Sequence, residues 1–124
     1  MANKLTLGSR IRALRLDAKL SQRDLADRVA KRLKEDDRGG LDFTYLSKIE
    51  NDRLVPSVTV ILALATELGG NSDELLALAG KAPDDVGDML KKSEVARMFF
   101  RSALSTRLSE EDWKRLLREI EKKK

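Results

Sequence analysis

The chain has 124 residues, 25 Lys+Arg against 21 Asp+Glu, no Cys, no His, and only three Phe, one Tyr and one Trp. Without Cys there is no disulfide frame, thiol nucleophile or thiolate metal site, and without His the commonest general base and metal ligand are both missing. Leu (21) and Ala (12) far outnumber Val and Ile together (10), which is stock for helices rather than sheets, so an all-α chain is expected.

In chain order, Leu7, Ile11 and Leu14 fall at i, i+4 and i+7 and give a first helix one apolar face. Ser21 stands before a second helix with Asp24 at its third position, an acidic variant of the capping box, and Leu25, Val29 and Leu33 continue the stripe. Residues 34–40 are polar and end in Gly39-Gly40, a loop signal. Asp42 is placed to cap a third helix over 43–51, with Leu46 and Ile49 facing inward. Ser57 caps a fourth, whose inner face is Ile61, Leu62, Ala65 and Leu68, and Gly69-Gly70 closes it. Ser72 is placed to cap a fifth helix over 73–79, which stops at Gly80. Beyond it, Pro83 opens a short helix over 84–91, Ser93 caps 94–104, and Ser109 caps 110–122. Val95, Met98 and Phe99 form one apolar stripe there, and Trp113, Leu116, Leu117 and Ile120 another.

No segment approaches the ~20 apolar residues of a membrane span, and residues 1–20 lack the pattern of a signal peptide. A soluble, cytoplasmic chain with no membrane partner is expected. The net charge of +4 is unevenly spread: residues 1–60 are basic, 61–80 carry three acids and no base, and 81–124 are basic again. The carboxylate clusters Asp36-Asp37, Asp84-Asp85 and Glu110-Glu111-Asp112 read as loop or helix-start charge. Gly39-Gly40 and Gly69-Gly70 lack the pattern of a phosphate loop. No catalytic residue, metal site or cofactor is therefore expected.

Leu20-Ser21-Gln22-Arg23-Asp24-Leu25-Ala26, then Tyr45-Leu46-Ser47-Lys48-Ile49-Glu50-Asn51, then Pro56-Ser57 carry a specific signal. In this order and spacing they closely resemble the XRE family of bacterial and phage regulators, the group that includes the Cro and lambda-type repressors. The resemblance covers about residues 5–80. It implies a five-helix helix-turn-helix DNA-binding domain over residues 1–80, with 81–124 as a helical extension. It also implies a transcriptional regulator, repressor rather than activator, that inserts the helix over 43–51 into the major groove of double-stranded DNA.

Matched position by position, Phe43, Thr44, Ser47 and Lys48 would meet base edges. Lys48 suits guanine O6 or N7, and Phe43 suits a thymine methyl. For Phe43, packing against the second helix is the competing reading. Gln22 and Arg23, at a helix N-terminus, and Asn51 and Arg53, past the recognition helix, would meet phosphates. Simple solvation is the alternative for Arg23 and Arg53. Arg15 and Glu50 would form the family's internal ion pair.

Three departures from the family pattern stand out. About ten extra residues separate Val29 from Tyr45, with Ala30 near the usual turn glycine. That insert is most simply absorbed by extending the second helix to about Lys34 and closing it over 36–40. Lys19 and Asp52 each stand where glycine is frequent. The extension must bury its two stripes, either against the first domain or in a homodimer reading a palindromic operator. A contrasting reading keeps the fold and makes the chain a protein-interaction module, an antitoxin or adaptor whose C-terminal helices hold a partner protein.

Overall fold

The computed structural model describes residues 5–33, 41–82 and 84–124. Its described residues form eight α-helices and no strand: α1 (Leu7–Asp17), α2 (Gln22–Arg32), α3 (Phe43–Glu50), α4 (Val58–Leu68), α5 (Ser72–Leu78), α6 (Asp84–Lys92), α7 (Glu94–Thr106) and α8 (Glu110–Glu121). They fall into two compact units, residues 1–83 and 84–124.

The helix starts are chemically explicit. Thr6 and Ser9 form a reciprocal capping box on α1, and Ser21 with Asp24 forms one on α2. Asp42 and Ser57 accept the Tyr45 and Val60 amides and start α3 and α4. For α5 the cap is Asn71 rather than Ser72, which is itself helical; the Asn71 side chain accepts the Glu74 amide at 3.0 Å. At the other end of α4, Gly69 takes φ +64°, the left-handed turn that glycine adopts without a Cβ clash.

In the first unit α4 is central. Ile61 and Leu64 are fully buried, together with Ile11 of α1, Leu25 and Val29 of α2, Leu46 and Ile49 of α3, and Leu75 of α5. Leu62, expected on the inner face, is 43% exposed instead. The inner arc of α4 is filled by Val60, Ile61, Ala63, Leu64 and Ala65, so Leu62 is turned outward by the helical repeat. The second helix ends at Arg32, where Leu33 turns extended (φ −94°, ψ 148°) and buries its side chain. The expected extension of this helix to about Lys34 therefore falls short, because the extended Leu33 ends it; the closing segment over 36–40 and the role of Pro83 lie outside the described residues.

One close approach fixes α1 against α3. A Cβ built on Gly8 would lie 2.5 Å from the Ile49 carbonyl oxygen and 2.6 Å from that of Glu50, so the two backbones meet there without a side chain between them. Asp52, in the left-handed conformation at φ +58°, closes the contact. Its carboxylate accepts the Gly8 amide at 3.0 Å and the Thr6 hydroxyl at 2.9 Å, capping the start of α1 from the end of α3. Lys19 is also left-handed, at φ +58°, which accounts for glycine being frequent at both positions.

In the second unit Ser93 caps α7, and Ser109 with Asp112 forms a capping box on α8. The backbone amide and hydroxyl of Ser109, with Arg115, hold the Asp112 carboxyl below the usual carboxylate range. Ala103 is the one buried side chain among the described residues of this unit.

Gly8→Ala is expected to destabilise the first unit. Overpacking against rigid carbonyls costs about 1–3 kcal/mol, more than the ~1 kcal/mol that alanine gains over glycine inside a helix. A lowered thermal midpoint for the variant checks this; an unchanged or raised midpoint would show that α1 slides freely on α3.

Candidate nucleic-acid interface

Two helix ends and one helix face converge around a buried charge pair. Arg15 of α1 donates through Nε and Nη2 to the two carboxylate oxygens of Glu50 of α3, at 2.7 and 2.9 Å. Their side chains are 11% and 3% exposed. The third guanidinium contact, Nη1 to the Leu20 carbonyl at 2.9 Å, ties in the turn between α1 and α2. Bidentate bonding to Glu50 raises the Arg15 guanidinium above its already high ordinary value, against the opposing effect of burial.

Gln22, at the first position of α2, donates its side-chain amide to the same Glu50 carboxylate at 3.2 Å. It was expected to face a phosphate; here its amide is turned into the ion pair. Its neighbour Arg23 points outward and lies over the Phe43 ring, 4.1 Å from the ring centroid, a cation–π contact between the start of α2 and the start of α3. Phe43 is 40% exposed, so it is not a core aromatic. Arg15, Ser21, Gln22, Arg23 and Phe43 line an open recess of about 380 Å³ at the N-terminus of α2. The unpaired N–H groups and positive dipole end of a helix start suit an anion there.

Along α3, Thr44 and Lys48 are exposed and Ser47 is half-buried, one turn apart on the outward side, while Leu46 and Ile49 point into the core. Asn51 folds back, donating its side-chain amide to the Ser47 carbonyl at 2.9 Å and the Ser47 hydroxyl at 3.3 Å. Arg53 is exposed just beyond. Burial pushes the Tyr45 phenol up from its ordinary value. Arg10 of α1 pairs with Glu74 of α5 at 2.7 Å. Arg32 of α2 likewise pairs with Glu67 of α4.

Thus Thr44, Ser47, Lys48, Arg23 and Phe43 share one outward region, with Arg53 at its end. Gln22 and Asn51 adjoin it but have their amides committed to protein partners. Thr6, Gly8 and Asp52 were missed as positioning groups. A glycine within the first turn of a helix was the available signal, because such a residue is costly unless something needs the space.

Among the described residues no group of His, Cys, Asp and Glu is arranged to hold a metal ion, and no helix is long and apolar enough to cross a membrane. A family model described as a helix-turn-helix domain matches residues 8–81. The propionyl-CoA carboxylase regulator of Cereibacter sphaeroides is 38% identical over 69 residues, which are 56% of this chain and 13% of that protein. The immunity repressor protein of Bacillus phage phi105 is 37% identical over 65 residues, 52% of this chain and 38% of that protein. The matched segment is therefore a minor part of each of these longer relatives. No solved structure matches the chain.

Glu50→Ala is expected to cost about 3–5 kcal/mol, because it leaves the Arg15 charge buried without its partner. The double variant Arg15→Met/Glu50→Leu should regain most of that loss. Urea unfolding of the three proteins checks it, and a single variant as stable as the parent would remove the pair from its structural role.

Proposed function

The chain belongs to the XRE-type helix-turn-helix family of DNA-binding transcription regulators, and from that premise we propose that it is a repressor that inserts α3 into the major groove as a homodimer. Thr44, Ser47 and Lys48 read base edges, with Phe43 against a thymine methyl. Arg23 and Arg53 meet phosphates on either side of the groove, and Gln22 and Asn51 join them on binding. The observation that carries this reading is the outward side of α3, where Thr44 and Lys48 stand exposed next to the N-terminus of α2. The matched relatives named as a regulator and an immunity repressor support the same class.

Dimerisation follows from reach. One short helix touches few base pairs, whereas two copies related by a two-fold axis read half-sites about 34 Å apart on a palindromic operator. Residues 1–80 supply the DNA-binding domain and 81–124 the dimerising extension. No catalytic step is assigned: the chain has neither His nor Cys, and among the described residues Asp24, Asp42 and Asp112 cap helices while Glu50, Glu67 and Glu74 pair with arginines. The exposed apolar faces of α7 and α8 support a second reading, in which the extension holds a partner protein.

Fluorescence anisotropy on DNA from around its own gene tests the proposal. Affinity should fall steeply as salt rises, because phosphate contacts release counterions. Lys48→Ala should lose about 1–3 kcal/mol of preference at one base pair, and Thr44→Ala/Lys48→Ala more, with thermal stability unchanged. A double variant that binds like the parent would end the assignment of α3 as the reading helix. Weak, salt-insensitive DNA binding with a co-purifying protein would favour the second reading.

A further inference from the structure

The second unit has almost no interior. Val95 and Leu104 are 74% and 80% exposed, Leu117 and Ile120 are 54% and 59%, and Trp113 is 42%. A 41-residue segment with one buried side chain cannot account for its own ordering by burial, and an apolar face of this extent calls for a cover. The sequence of α8 says what kind of cover fits. At ~100° per residue, Trp113, Leu116, Leu117 and Ile120 lie within one stripe down a single side of the helix. Glu110, Glu111 and Asp112 make its first turn acidic, and Lys122, Lys123 and Lys124 make its end basic. On the same wheel Lys114 and Glu121 flank one edge of the stripe, and Asp112 and Lys123 flank the other.

We propose that α8 pairs antiparallel with α8 of a second copy of this chain, the site being the Trp113–Ile120 stripe; this rests on the homodimeric reading above. In a two-fold antiparallel pair, each edge meets the same edge of the other copy. Lys114 then faces Glu121 of the second copy, and Asp112 faces its Lys123, each pair formed twice. Trp113 comes opposite Ile120, and Leu116 opposite Leu117. A parallel pair would instead set three acids beside three acids and three lysines beside three lysines, and would align rather than oppose the helix dipoles. The present partners of Lys114 and Glu121 are exposed residues three positions away in the chain, Glu111 at 3.5 Å and Lys124 at 3.3 Å, which hold little energy and are readily exchanged. The acidic first turn disfavours DNA or an anionic membrane as the cover.

Sedimentation equilibrium of the full chain at low micromolar concentration tests this. The parent should sediment at twice the chain mass. Leu117→Asp/Ile120→Asp should sediment at the single-chain mass, while the melting of the first unit, whose core contains neither residue, stays as it was. Lys114→Glu should weaken association at least severalfold, and Lys114→Glu/Glu121→Lys should restore it. Because the chain has no native Cys, introduced thiols report orientation. Lys114→Cys mixed with Glu121→Cys should form a disulfide-linked pair, and neither should link to itself. A parent that stays monomeric to tens of micromolar would overturn the proposal. So would self-linking of each single-Cys protein without linking between them. Lys48-dependent binding of a monomer to one half-site would remove this interface and leave the DNA reading intact, whereas a stable dimer indifferent to DNA would do the reverse.

Discussion

The bidentate contact between Arg15 and Glu50 is the constraint on which the rest of the first unit is arranged. Two opposite charges with 11% and 3% of their side chains exposed are tolerable only when nearly every donor and acceptor is used. Here the guanidinium also holds the Leu20 carbonyl, and the carboxylate also accepts from Gln22. Four pieces of chain, α1, the turn after it, the start of α2 and the end of α3, are thereby fixed to one point. The outward side of α3 is aimed by that point: with Glu50 and Ile49 directed inward, Thr44 and Lys48 have no direction left but outward. The Asp52 carboxylate on the start of α1 adds a second attachment about two turns of α1 away from Arg15.

Charge placement follows the same plan. The acidic stretch over 61–80 supplies Glu67 and Glu74, which engage Arg32 and Arg10. Such part-exposed pairs add little to stability. Their effect is on the field: they occupy two cations at sites away from α3, while Lys48 and Arg53 have no side-chain partner among the described residues. A modest total charge thus leaves its positive excess beside the helix that would meet a polyanion.

Most of the helix starts could be read from single residues, because an N-cap is a local device. Ser21, Asp42, Ser57, Ser93 and Ser109 all cap as their positions suggest. Asn71 displaced Ser72 by one residue, since both can cap and only the backbone path decides between them. Facing was harder. Leu62 was assigned inward on a helix that is apolar nearly all round, where periodicity discriminates poorly. Contacts between distant segments were hardest of all. The Gln22 amide on Glu50 and the Arg23 guanidinium on Phe43 depend on how α2 meets α3 across residues 34–40, whose length departs from the family pattern. The amphipathic stripes of α7 and α8 were plain in the sequence, but a stripe states only that something must cover it.

If the chain represses as proposed, the Gln22–Glu50 hydrogen bond bears on how loss of that activity would be mapped genetically. Because Gln22 at the start of α2 shares its acceptor with the buried pair, damage to the interior would, under the proposed function, reach the reading surface without removing any side chain assigned to DNA. Random mutagenesis scored only by de-repression would therefore return Gly8, Arg15, Glu50 and Asp52 among its strongest hits, intermingled with Thr44 and Lys48. Selecting for mutants that keep normal protein abundance in the cell would separate the two groups, because the interior substitutions deplete the folded chain and the surface ones do not.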